Sequence, residues 1–199
     1  MNNLNSIKFL ALSLFLMGFM IPLYAQSNWN TNYYDYYSCR DYTNYESFTQ
    51  VVEVTTFDAR LLNAAIFYET NRQRSLYGMA EFKYHQNLEV CAQSHSEDMA
   101  NWDFFSHESP VSGKRTMTDR MGQVGFVNLW MAENISYHDV SNRTYSDLAK
   151  SIVDSWMNSP GHRANILNER YRYLGAGTAK CYYNDYFYVK STQNFVEAY

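Results

Sequence analysis

The chain predicts an α+β domain, on three observations. Apolar residues recur at helical spacing in three separate stretches between residues 58 and 156. Two β-rich runs follow near the C-terminal end, joined around Asn184 and Asp185. The segment between the second and third helical stretches is loop-rich, and no internal repeat is visible. Helices and antiparallel strands segregated along a chain belong to the α+β class.

The first helix opens after Asp58, with Leu61, Leu62, Ala65 and Ile66 on one face and Asn71 and Arg72 near its end. A second carries the stripe Leu88, Cys91, Ala92, His95 and Met99. The third opens at Thr144-Tyr145-Ser146-Asp147, a capping-box pattern, and buries Leu148, Ile152, Val153 and Trp156. It must stop at Ser159-Pro160-Gly161, because proline lacks a backbone donor and pushes the preceding residue out of the helical region. Gly161 suits positive φ or a close approach there. His162 opens whatever follows. Residues 105–137 between the second and third helices read as loop-rich, while YLGAGTAKCYY and YFYVKSTQNFV read as a β-hairpin.

A chain of 199 residues with net charge −4 suits one domain with an appendage. No Lys/Arg block offers phosphates a partner, so nucleic acid is excluded. Residues 1–25 read as a signal peptide: Lys8 precedes the uncharged FLALSLFLMGFMIPL, with cleavage after Ala25. That run is shorter than the ~20 residues of a spanning helix, and no transmembrane segment is expected after cleavage. The mature protein is therefore expected to be secreted, periplasmic or at the cell surface. Residues 26–56 form an Asn/Tyr-rich extension without helical period, lying against the domain or binding a partner, with VVEVT at 51–55 a short strand. Residues 57–199 form the folded domain. Of the three cysteines, Cys91 sits on an apolar stripe and reads as a buried hydrophobe. An exported chain permits Cys39 and Cys181 to pair and staple the extension to the hairpin.

Several chemistries are absent from the sequence. It has no H-E-x-x-H, G-x-S-x-G, Gly-rich phosphate loop or C-x-x-C, and no organic cofactor is expected. The polar residues left in apolar or loop contexts are His95, His107, Glu133 and His162. His95, on a helical stripe, reads as a core histidine. Glu133, inside the apolar Met131-Ala132-Glu133-Asn134-Ile135, needs a fixed partner such as an imidazole. His162, near a helix N-terminus, is expected to be a neutral imidazole, the form that a metal ligand or general base needs.

Three segments in order, FFSHESP, AENISY and SWMNSPGHRANILNERYRYLGAG, resemble the CAP superfamily (the SCP domain), whose members include cysteine-rich secretory and pathogenesis-related proteins. The similarity runs over roughly residues 58 to 196 and is strongest to the short bacterial type. It implies a three-layer α-β-α sandwich around an antiparallel sheet, with a cleft lined by two histidines and two acids. His107, His162 and Glu133 fall on three of those positions. The fourth departs, since Ser159 stands where eukaryotic relatives carry Glu. The resemblance implies a secreted binding module whose His107 and His162 hold Zn²⁺ or another divalent ion, with a small-molecule, lipid or extracellular protein ligand. A metal-assisted hydrolase at the same cleft is the second reading, with Ser106, Ser159 or a metal-bound water as nucleophile, and a lipid or sterol binder the third. A purely structural envelope protein ranks below these.

Overall fold

The computed structural model describes Tyr34, residues 37–184 and residues 186–199. The expected signal peptide and its cleavage point lie outside these residues.

After a 3-10 turn at Tyr42–Asn44 come α1 (Glu46–Thr49), α2 (Ala59–Leu76), β1 (Lys83–Tyr84), α3 (Gln86–Asn101) and α4 (Met117–Gln123). Then follow β2 (Met131–Asp139), α5 (Tyr145–Asn158), α6 (Pro160–Ile166), β3 (Tyr171–Tyr183) and β4 (Tyr186–Glu197). Each long helix starts on a side chain that accepts an otherwise orphaned backbone N–H. Asp58 accepts from Arg60 and Leu61, His85 from Asn87, and Thr144 from Asp147. α4 carries a complete capping box between Thr116 and Asp119. The region read as loop-rich thus holds both α4 and the nine-residue β2. VVEVT contributes only a single bridge, Val51 to Thr144.

Among the described residues the four strands run in the order β1-β3-β4-β2. β4 pairs antiparallel with both β3 and β2, and Asn184, at φ 47°, sits in the hairpin turn. The two-residue β1 adds parallel to β3, so the sheet is mixed at that edge. β3 shows how three layers form. A Cβ on Gly175 would lie 2.1 Å from Glu89 N, and one on Gly177 2.0 Å from Gln93 N, so α3 rests directly on the strand backbone. The alternate residues face the other way. Leu174 and Ala176 join the main core with Leu62, Ile66 and Trp156 of α2 and α5, and Thr178 Oγ1 donates to Asn63 Oδ1 at 2.8 Å. A smaller core of Leu88, Cys91, Met121, Phe126 and Val196 lies on the α3–α4 side. Cys91 is there as the small buried hydrophobe that its stripe predicts.

The described part of the extension packs on the domain. Cys39, Tyr42, Phe48 and Val52 belong to the main core. Tyr42 lies in edge contact with Phe48 and stacks on Tyr68, and its hydroxyl donates to the buried Glu69 at 3.1 Å. No staple is involved, which corrects the expected Cys39–Cys181 bond: all three cysteines are free thiols. Cys39 Sγ is turned to Glu81 Oε1 at 3.2 Å, whereas Cys181 lies opposite Tyr188 on the hairpin. Aromatic packing does what the disulfide was expected to do. Among the described residues no helix is long and apolar enough to cross a membrane.

Candidate functional site

The site forms along β2, at an edge of the sheet. Ser159 both ends α5 and precedes α6, and Pro160 takes the first position of α6, where its missing N–H costs nothing. The proline therefore starts a new helix in a new direction, with His162 in its first turn. Gly161 is an ordinary helical residue, and a Cβ there would meet open space, which corrects the expected positive φ. Side chains tie both helices to β2. Trp156 Nε1 donates to Ile135 O at 2.9 Å, Asn134 Nδ2 to His162 O at 3.2 Å, and Asn165 Nδ2 to Asn134 Oδ1 at 2.9 Å.

His107 arrives from the opposite layer, on the loop after α3. The two histidines that sequence places 55 positions apart come together, with ring centroids 6.4 Å apart and planes at 52°. Nδ1 of His107 lies 2.9 Å from Oε1 of Glu133. The Glu133 side chain is 2% exposed, against 52% for His107. Arg120, buried to the same degree as Glu133, donates Nη2 to both carboxylate oxygens at 2.8 and 2.7 Å. It also reaches the carbonyls of His107 at 3.1 Å and Lys114 at 3.0 Å. Asn194, with its amide oriented to satisfy both neighbours, adds a donor to Oε2 at 3.2 Å. His95 is fully buried beneath, its Nε2 3.1 Å from Ser106 O and 3.8 Å from Glu133.

These contacts bias the charge of Glu133, His162 and His95. Burial alone would raise the Glu133 carboxyl, but the His107 hydrogen bond and the Arg120 charge outweigh it and hold the group below the ordinary carboxylate value. An ionised carboxylate only accepts, so Nδ1 of His107 donates to Glu133 and Nε2 is the ring nitrogen that this contact leaves unengaged. Burial, and then the neighbouring His107, lower His162 and favour its neutral form. That direction matches the sequence expectation, with burial as its leading cause. Burial depresses His95 to about 4 against the pull of Glu133. Its Nε2 donates to a carbonyl, and Nδ1 is buried without a partner, so this ring is a structural base to the site.

A divalent ion fits the donors present in a limited way. His107 and His162, with ring centroids 6.4 Å apart, are the residues that would hold such an ion, each through one imidazole nitrogen. Glu133 is spoken for by Arg120 and His107 and acts behind His107, as carboxylates behind metal-bound imidazoles do. No group of three or more His, Cys, Asp or Glu among the described residues is arranged to hold a metal. The protein thus offers two nitrogens.

Arg120 escapes a reading of the sequence, since an arginine in a polar stretch looks solvated. The Thr116–Asp119 capping box was the available signal, because it announces a helix whose next residue is Arg120.

Comparison with known proteins agrees with this architecture. The model of the cysteine-rich secretory protein family (CAP) matches residues 67–195. The membrane protein YlbC of Bacillus subtilis is 36% identical over 129 residues, covering 64% of this chain and 32% of its own length. YkwD of the same organism is 32% identical over 108 residues, covering 54% of this chain and 38% of its own length. The chain thus spans about a third of the length of these two relatives. An extracellular protein containing an SCP domain from Bacillus anthracis superposes with a TM-score of 0.55 at 33% identity, covering 70% of this chain and 41% of that one. An outer surface protein of Borrelia burgdorferi shares the fold at 14% identity, with a TM-score of 0.56 over 72% of this chain and 97% of its own. On the family match, the ordered motifs and the three-layer fold, the chain belongs to the cysteine-rich secretory protein (CAP) family.

Proposed function

We propose that this chain is an exported CAP-domain binding module whose His107 and His162 hold a divalent ion such as Zn²⁺. One observation carries the reading. His107 is locked through Nδ1 by a buried, Arg-clamped carboxylate, so that Nε2 is the nitrogen left to act, with a neutral His162 beside it. When bound, the ion supplies open coordination positions for an oxygen donor of a ligand. Export follows the signal-like segment and the likeness to an extracellular SCP protein. YlbC, by contrast, is named a membrane protein, and its likeness fits a place at the membrane surface equally well.

The hydrolase reading has less support. A general base works best with a pKa near the working pH, whereas Glu133 is held low and is fully engaged. Ser106 Oγ is occupied by the backbone N–H of Glu108 at 3.0 Å.

Histidine-selective ¹⁵N NMR tests the proposal. On addition of Zn²⁺, Nε2 of His107 and one ring nitrogen of His162 should move together while His95 stays still. Movement of neither ring, or equal movement of all five histidines, refutes the site.

A further inference from the structure

Arg74 of α2 is 1% exposed and among the largest fully buried side chains. Among the described residues no carboxylate lies within ion-pair distance of it. Burial and the nearby Arg172 lower it to about 10 against the pull of Glu169, which leaves it charged at neutral pH. A buried charge without a carboxylate in direct contact is costly, and an aliphatic side chain would fill the same space more cheaply. The contacts it makes are directional. Nε donates to Ala80 O at 2.6 Å, and Nη1 to Ile166 O at 2.6 Å and Asn168 O at 3.1 Å, while the guanidinium lies 3.8 Å over the Phe82 ring.

Ile166 O is one of the carbonyls that the end of α6 leaves without an intrahelical partner, and a cation there also suits the helix dipole. α6 spans seven residues, too few to be stable alone. Asn134 and Asn165 hold it sideways to β2, and Arg74 holds its end. His162 stands one turn before Ile166, so whatever fixes that carbonyl fixes the imidazole. We infer that Arg74 is a positioning residue for His162: its fork joins α2, the Ala80 turn and the exit of α6, and so sets where His162 stands relative to His107. The link to metal binding rests on the reading of those histidines given above. Lysine, a point charge with rotatable donors on a flexible stem, cannot reproduce the fork.

Arg74→Lys and Arg74→Met test this by hydrogen exchange and by zinc titration. Relative to residues 145–158, amides 161–168 should exchange at least tenfold faster in Arg74→Met, with Arg74→Lys between it and wild type. The zinc Kd should rise about tenfold in Arg74→Met, and adding His162→Ala should cause no further loss beyond that of His162→Ala alone. Unchanged relative exchange over 161–168, or losses that add to those of His162→Ala, overturns the inference. Failure of both variants to fold assigns Arg74 to the core and also overturns it. If wild type binds no zinc the metal reading falls, and the exchange measurement still decides the role of Arg74.

Discussion

His107 Nδ1 lies 2.9 Å from Glu133 Oε1, and the same carboxylate is gripped at 2.8 and 2.7 Å by Arg120 Nη2. Order therefore passes from a buried ion pair to a half-exposed imidazole. The pair sits in the protein and the ring faces the cleft, an arrangement that fixes one tautomer and one orientation.

Breaking that pair from either side should be severe. Glu133→Gln strands a buried guanidinium and Arg120→Met a buried carboxylate, each costing about 3–5 kcal/mol. Urea unfolding of both single variants and the double variant should show the double losing much less than the sum. Additive losses would mean that the two charges do not share one interaction.

Stability should fall on mild acidification. Burial holds folded His95 near about 4, against 6.5 for an ordinary histidine, so below that value the unfolded chain takes up a proton that the folded chain refuses. Its contribution is complete above about pH 6.5 and is lost as the pH falls toward about 4, at up to ~1.4 kcal/mol per pH unit. His85, His138 and His162 are lowered as well and act in the same direction. His95→Gln should flatten the slope of unfolding free energy between pH 6.5 and 4. An unchanged slope would remove His95 from the account.

Glycines should differ sharply in tolerance. Gly177→Ala places a Cβ 2.0 Å from Gln93 N and must push α3 off the sheet, at roughly 1–3 kcal/mol or more. Gly161→Ala meets open space in a helix and should be neutral or slightly stabilising. Thermal melts of the two variants check the contrast, and equal midpoints would contradict the packing described.

The thiols should separate by access. Cys39 and Cys91 are buried and their pKa values pushed up to about 12, by burial first in each case. Cys181 is partly exposed on the hairpin. A thiol reagent applied to folded, oxidised protein should label Cys181 first, and peptide maps should contain no crosslink to Cys39. Recovery of a Cys39–Cys181 peptide would restore the staple.

Much of this fold is legible in the sequence because its signals are local. The stripe Leu148, Ile152, Val153, Trp156 and the proline after it specify a buried helix and its end, and each of those four residues is fully buried. β2 is harder to see. Its buried residues include Glu133, Asn134 and Ser136, so apolar alternation, the usual strand signal, is missing. Glu133 and Asn134 are satisfied by partners from elsewhere in the chain, Arg120 and Asn165, and no local pattern reports such pairings. His107 and His162 stand out as residues but not as neighbours, since their meeting depends on two layers closing over one strand edge. The family resemblance placed the two at one cleft, and their ring centroids lie 6.4 Å apart.

The central claim is tested most directly by calorimetric titration of Zn²⁺ into the wild-type protein and into His107→Ala/His162→Ala at pH 7.5. The account predicts one equivalent bound with modest affinity by wild type, weakening as the imidazoles protonate below neutrality, and no binding at that site by the folded double variant. Equal binding by both proteins, or none by wild type, would contradict it.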